Sequence, residues 1–228
     1  MNLVDKIYII HYTKSKQRRL HMENQMKKWF PNVDYEFVEE LDKEDLSSEI
    51  KLNNFDLDLF ESKFNREMLE AEMSLCMKYK AAVDKASKLD NAENVFILED
   101  DVVFKEDPLK YLKMMYGFCS IQNIEYDCVF LGEAWIRKGD SQNIFIKKEY
   151  PSTNGLCTVL YKKESLKKLN KLLSDTKIHQ PMDWQMNDSL KDLDFNVYWG
   201  KAITKHGSVL ATEDSEYSDL KSFLRDSY

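Results

Sequence analysis

Short apolar runs alternate along this chain with longer stretches of helical period. Lys6-Ile7-Tyr8-Ile9-Ile10 reads as a first strand that stops at His11-Tyr12. A polar, basic run through Arg18-Arg19 leads into a helical pattern carrying Leu20, Met22, Met26 and Trp29, which Pro31-Asn32 ends. Residues 35–38 alternate polar and apolar as a half-buried second strand, so the chain opens strand–helix–strand. Residues 42–66 are acidic and poorly periodic, which predicts a surface excursion with one short helix. From about residue 66 to 88, Leu69, Met73, Cys76, Met77 and Val83 fall on one stripe of an amphipathic helix.

The pattern then changes character. Val95-Phe96-Ile97-Leu98 runs straight into Glu99-Asp100-Asp101, and Val102-Val103-Phe104 follows. Such a run, rich in β-branched and aromatic residues, predicts a strand buried on both faces over 94–99. Burying three adjacent carboxylates without partners would cost more than the apolar run returns, so the acids belong where the strand leaves the core. The usual occupant at the carboxyl end of a parallel strand is a ligand, often a metal–phosphate group. The alternative is an acidic strand end turned to water.

Asp107-Pro108 has the composition of a helix start, with Asp as N-cap and Pro at the first helical position. Leu109, Leu112, Met115 and Phe118 are expected to turn that helix inward. Residues 127–132 predict a buried strand ending at Glu133, and residues 156–161 another after Asn154-Gly155. A helix follows over Leu166, Leu169 and Leu173, and Pro181-Met182-Asp183-Trp184 opens a short one. Residues 196–199 and 202–204 read as two short strands leading to Lys205-His206-Gly207-Ser208, before a polar tail from Thr212.

Length and composition narrow this to one α/β domain spanning 1–228, with a mainly parallel central sheet and flanking helices. A 43% hydrophobic content suffices for a full core, and a net charge of −7 argues against a nucleic-acid partner. Cys76, Cys119, Cys128 and Cys157 are widely spaced in apolar surroundings without CxxC spacing, which predicts buried thiols of a reducing compartment. No apolar run approaches membrane-spanning length, and the start shows no charged-then-apolar signal pattern. The expected location is cytoplasmic, with peripheral membrane contact and oligomeric state left open.

On an extended backbone Glu99 and Asp101 face one side and Asp100 the other. That spacing suits one hard divalent ion, Mg²⁺ or Mn²⁺, completed by substrate phosphates. No DxDxT, GxxxxGK[ST] or GxGxxG pattern accompanies it, which argues against phosphoryl-aspartate phosphatases, P-loop NTPases and dinucleotide dehydrogenases.

The order of the pieces carries a resemblance. A strand ending in a basic loop, a strand ending in Glu-Asp-Asp and a late His-Gly resemble the GT-A nucleotide-sugar glycosyltransferases. More closely, the chain resembles glycosyltransferase family 25, the lipooligosaccharide and collagen galactosyltransferases. Tyr8-Ile9-Ile10-His11-Tyr12 with Arg18-Arg19 resembles the family's opening "INL…RR", and Phe37-Val38-Glu39-Glu40-Leu41-Asp42 its strand ending "VDG". Ala71-Glu72-Met73-Ser74-Leu75-Cys76 is similar to "GEIGC", Phe96-Ile97-Leu98-Glu99-Asp100-Asp101 to "LEDD" and Pro181-Met182-Asp183 to "P-x-D". The chain departs in having His11 for Asn, Lys78-Tyr79 for "SH" and His206 where relatives often carry Gln.

The resemblance implies an inverting, metal-dependent hexosyltransferase of GT-A fold, taking galactose or glucose from a UDP-sugar to a glycan, glycolipid or protein-linked hydroxyl. Metal ligands would be Asp101, Glu99 and His206, with Asp100 an alternative to Glu99 or a ribose contact. Ile10, His11, Tyr12, Arg18, Arg19, Glu72 and Lys78 would line the donor side: the arginines on the diphosphate or uracil edge, Tyr12 on the base, Glu72 on hydroxyls and Lys78 on a phosphate. Each cation and Glu72 has a solvated surface role as its alternative. Asp183 is the expected base, with Trp184 as an apolar platform and Glu133 as second choice; helix capping is the plainer role for Asp183. Trp199 is expected in the core. Two rival functions remain: an inactive paralogue that binds sugars or a partner, and a metal-dependent phosphoesterase.

Overall fold

The computed structural model describes residues 2–132, 145–148, 150 and 155–207. Its elements run β1 (Lys6–Ile10), α1 (Lys16–Trp29), β2 (Asp34–Val38), a 3-10 turn (Lys43–Asp45), α2 (Ser48–Asn54), α3 (Leu57–Phe64), α4 (Glu70–Ser87), β3 (Asn94–Glu99) and β4 (Val102–Phe104). Then follow α5 (Pro108–Gln122), β5 (Cys128–Gly132), β6 (Phe145–Lys147), β7 (Thr158–Lys162), α6 (Lys163–Asp175), α7 (Met182–Asp192) and β8 (Val197–His206). One eight-stranded sheet joins them in the order β2-β1-β3-β7-β5-β8-β4, with β6 on β8. β1, β2, β3, β5 and β8 share one direction, while β7, β4 and β6 run against it. The expected α/β sheet with flanking helices is present, and a single sheet ties β1 to β8.

Alternation along the strands divides the core in two. Tyr8, Ile10, Val95, Ile97, Val159 and Tyr161 pack with α4, α6 and α7 on one face. Ile7, Ile9, Phe96, Leu98, Val129 and Leu160 pack with α1 and α5 on the other. Both sides of β3 are therefore covered, which is why its sequence shows no polar alternation. Asp107 caps α5 as expected, its Oδ1 accepting from Leu109 and Lys110 N–H at 3.0 and 3.1 Å. All four cysteines are free and buried, and Trp199 is buried.

Several expectations need correction. Residues 42–66 hold two helices and a 3-10 turn, and Leu46, Phe55 and Phe60 enter the core. Helices of seven or eight residues make only about two turns, too few to display a sustained apolar period. On α5 the inward residues are Tyr111, Leu112, Met115 and Cys119, whereas Phe118 is 41% exposed. Val102–Phe104 is a strand of its own, and the two short strands near the end are one, β8. β8 runs through Gly200, where a Cβ would collide with Leu131 and lie 2.5 Å from the Tyr111 hydroxyl, so glycine fits there without displacing either side chain. The strand after Gly155 starts two residues later than its apolar run, at Thr158, and is antiparallel to both neighbours. Glu133, Asn154, Ser208, the tail from Thr212 and most of the loop 134–150 lie outside the described residues.

Candidate active site

Register places the acidic triplet. β1 and β3 are parallel neighbours with Ile10 opposite Glu99, so His11 and Asp100 leave the sheet side by side at the carboxyl ends of their strands. β1 lies between β2 and β3, and a crevice outside the strand ends at such a switch point is the usual ligand position in open α/β sheets. β4 then turns back antiparallel to β8 with Val102 opposite His206, and Gly207 N–H donates to the Asp101 carbonyl at 2.7 Å. That short return strand brings a residue more than a hundred positions away onto the triplet.

Residues 100 and 101 lie in a turn rather than on the extended backbone assumed for the alternation, yet Glu99 and Asp101 meet His206 while Asp100 meets His11 and Arg18. Asp100 is buried and saturated: His11 Nδ1 is 2.7 Å from its Oδ2, Arg18 donates to its Oδ1 at 2.7 Å and Tyr12 N–H to Oδ2 at 3.4 Å. Burial opposes its charge, but the hydrogen bond from His11 and the Arg18 guanidinium prevail and hold its pKa below the ordinary carboxylate value. Arg18 is itself buried and reaches Asp101 Oδ2 at 3.5 Å.

On the other side Glu99, Asp101 and His206 each offer a ligand atom, all within 4.8 Å of one another. His206 Nδ1 is 3.2 Å from Asp101 Oδ2 and its Nε2 is 3.4 Å from Glu99 Oε2. Burial pushes the Asp101 carboxyl up to about 6, outweighing the pull of His206 and Arg18. Burial lowers His206, but Asp101 and Glu99 more than reverse this and raise it to about 9. The two shifts differ in cause: burial raises Asp101, whereas the carboxylates of Asp101 and Glu99 raise His206.

These residues fit a divalent cation. Two hard carboxylates and an imidazole are an ordinary donor set for Mn²⁺ and acceptable for Mg²⁺. Asp101 Oδ1 is buried and has no hydrogen-bond partner among the described residues, a costly state that a cation would relieve.

The cavity beside this cluster is lined by Ile10, His11, Tyr12, Arg18, Lys43, Ala71, Ser74, Leu75, Lys78, Glu99, Asp100, Asp101 and His206. Nine of the eleven residues expected on the donor and metal sides are thus together. Arg19 is not: it pairs with Glu39 at 2.5 Å and Glu23 at 3.1 Å, its guanidinium 4.4 Å from the Phe37 ring centre. Glu72 is also absent from the lining, and it is buried rather than solvated. Its two oxygens accept from Arg66 at 2.7 Å each, and Leu69 N–H donates to it at 2.9 Å, closing the start of α4. Lys78 is not solvated either; it is buried, with Nζ 2.7 Å from Asp42 Oδ1.

Lys43, Ala71, Ser74 and Leu75 were missed as lining residues. Ala71, Ser74, Leu75 and Lys78 follow the i, i+3, i+4, i+7 spacing of one helix face, so the period of α4 held the signal. Asp183 lies on α7 outside that lining, one position past the helix's first residue, and does not cap it. Its Oδ1 accepts from Trp184 N–H at 3.0 Å, and the Trp184 ring is 53% exposed, 5.7 Å from Phe64. Burial raises Asp183 to about 6; the Trp184 N–H opposes this, and the charges of Glu99 and Glu72 add to it.

Among the described residues no helix is long and apolar enough to cross a membrane. No curated protein matches the sequence. Solved structures that are similar include galactosyltransferase LgtC with donor and acceptor sugar analogues, at 9% identity, 95% of either chain covered and a TM-score of 0.48. A glycosyltransferase involved in glycosylation of the PBCV-1 major capsid is 13% identical over 89% of this chain and 94% of that one, with a TM-score of 0.46. A Drosophila β-1,4-galactosyltransferase 7 in complex with manganese, UDP-Gal and xylobiose is 11% identical, covering 89% and 71%, with a TM-score of 0.41. The model of glycosyltransferase family 25 (LPS biosynthesis protein) matches residues 4–182, from the start of the sheet to the edge of α7; Asp183 falls just beyond it and His206 well beyond it, and the chain belongs to glycosyltransferase family 25.

Proposed function

We propose that the chain moves a hexose, galactose or glucose, from a UDP-sugar to a glycan, glycolipid or protein-linked hydroxyl, with inversion at the anomeric carbon and with Mn²⁺ or Mg²⁺. The observation that carries this reading is the buried Oδ1 of Asp101, which has no hydrogen-bond partner among the described residues, beside Glu99 and His206. A divalent ion held there supplies Lewis-acid neutralisation of the charge that develops on the leaving diphosphate. Arg18, fixed by Asp100, presents a charged fork at the same wall for a phosphate oxygen.

Inversion needs a base for the acceptor hydroxyl, on the face opposite the departing diphosphate. Asp183 is our assignment. With its pKa raised to about 6 it is ionised at neutral pH yet more basic than an ordinary aspartate. The acceptor oxygen bonds to the anomeric carbon as the bond to the diphosphate breaks, and Asp183 takes the hydroxyl proton. Glu133, beyond the end of β5, is the second-choice carboxylate.

Nucleotide sugars screened by thermal shift and by transfer test this. One UDP-hexose with Mn²⁺ should raise the melting temperature, and transfer should rise with pH through about 6. Asp183→Asn should lower the transfer rate by about 10²–10⁴-fold and leave that thermal shift intact. No shift with UDP plus Mn²⁺ would favour the inactive paralogue. Phosphate release from a generic ester without an acceptor would favour the phosphoesterase.

A further inference from the structure

Lys78 departs from its family's pattern and is buried at the wall of the cavity. Its ammonium lies 2.7 Å from Asp42 Oδ1 as an ion pair, and neither atom has a partner in good hydrogen-bonding geometry among the described residues. Asp42 is itself held, since Thr13 donates to Oδ2 from both its hydroxyl and, at 3.3 Å, its backbone N–H. The chain enters Asp42 through Leu41 at φ 61°, a left-handed conformation that costs a γ-branched residue of this kind energy. Ser74, also a lining residue, donates to the Leu41 carbonyl at 2.7 Å and pins that turn. Strained backbone, carboxylate and lysine are thus locked together behind one patch of cavity wall.

The electrostatics say what such a patch suits. Arg18 and Lys78 are each paired with an aspartate at 2.7 Å, but Arg18 also reaches Asp101 of the Glu99–Asp101–His206 cluster, where a diphosphate would lie, whereas the ammonium of Lys78 is held by Asp42, outside that cluster. It retains N–H donors, and a neutral carbonyl oxygen is the acceptor they fit without further charge compensation. The Tyr12 ring, in the same lining, supplies a flat surface for the heterocycle that would carry that carbonyl.

Resting on the UDP-sugar reading, we propose that Lys78, neutralised and positioned by Asp42, is the donor that reads a carbonyl on the nucleobase edge and makes the site select uracil over cytosine. Uracil and cytosine differ at that edge: O4 accepts a hydrogen bond, whereas the amino group of cytosine can only donate and would face the ammonium.

Titration of UDP and CDP into the full chain with Mn²⁺ tests this first without any substitution. UDP should bind roughly ten- to a hundredfold more tightly than CDP. The double variant Asp42→Asn/Lys78→Met removes the donor and both buried charges together, and should bring the two affinities within about threefold, mainly through weaker UDP binding. Asp42→Asn/Lys78→Gln keeps a neutral donor and should restore at least part of the preference. Equal UDP and CDP affinities in the wild-type chain overturn the proposal and leave the donor reading standing. An equal loss of both nucleotides in the Met variant, the result for a phosphate contact or a purely structural pair, overturns it as well. Binding of neither nucleotide removes the donor reading and this inference together.

Discussion

Asp100 and Asp101 leave the same turn, share Arg18 and line the same cavity, yet their remaining partners differ. Asp100 faces the first helix, where His11, Tyr12 and Arg18 saturate it and its pKa is depressed. Asp101 faces β8, where one oxygen has no hydrogen-bond partner among the described residues and burial pushes its pKa up to about 6. Burial is almost equal, so burial alone does not separate the two. The difference lies in what the fold supplies. Asp100 is completed by the protein and acts as a bracket, while Asp101 is left incomplete and therefore reads as the ligand-binding member.

Substitution of each residue should break this contrast in a different currency. Asp101→Ala is expected to lower Mn²⁺-dependent sugar transfer on the order of 10³-fold, because it removes the central ligand and, with it, stabilisation of the leaving diphosphate. The same variant should no longer gain thermal stability from Mn²⁺. Transfer that survives it would sink the metal assignment. Asp100→Ala should act on the fold instead. It strips Arg18 of its main partner and leaves a buried charge poorly compensated, at a cost of about 3–5 kcal/mol seen in denaturant unfolding. Whatever folds should still be stabilised by Mn²⁺.

How far the sequence could carry this contrast depends on the range of the interactions. Strand alternation alone put Glu99 with Asp101 and Asp100 opposite, and the apolar runs of β1, β3 and β5 were legible because burial on both faces erases polar alternation. β4 was not legible: three residues show no period, and its partner β8 lies about a hundred positions later. Lys78 misled for the same reason. A lysine on an amphipathic helix reads as solvated until Asp42, from another part of the chain, is seen against it. Arg18 and Arg19 look equivalent in sequence, yet the helix turn between them sends one to Asp100 and the other to Glu39.

The third residue of the cluster sharpens the contrast by pH. Metal binding requires neutral imidazole, and His206 holds its proton up to about 9 in the metal-free chain. Apparent Mn²⁺ affinity should therefore rise as pH is raised from 6 toward 9. His206→Ala should weaken Mn²⁺ by about 10–100-fold and flatten that slope, a change that isothermal titration at several pH values would resolve. A slope that persists in the variant would assign the proton to another group.

The smallest effect is the most discriminating, because its sign differs between two neighbouring residues. A carboxyl whose folded pKa is raised to about 6 binds its proton more tightly folded than unfolded, so without metal it subtracts stability as pH rises from about 4 to 6. Asp101→Asn should then stabilise the metal-free chain at pH 7 by about 1 kcal/mol, and the gain should vanish by about pH 4. Asp100, with its depressed pKa, contributes stability above the ordinary carboxylate range and loses it as pH falls through its folded value. Asp100→Asn should accordingly destabilise at pH 7 and less so in acid. Chemical denaturation of both variants in chelator, at pH 4 and pH 7, measures the two signs side by side. Equal signs would mean that the turn treats its two aspartates alike, and the division into bracket and ligand would fall with that result.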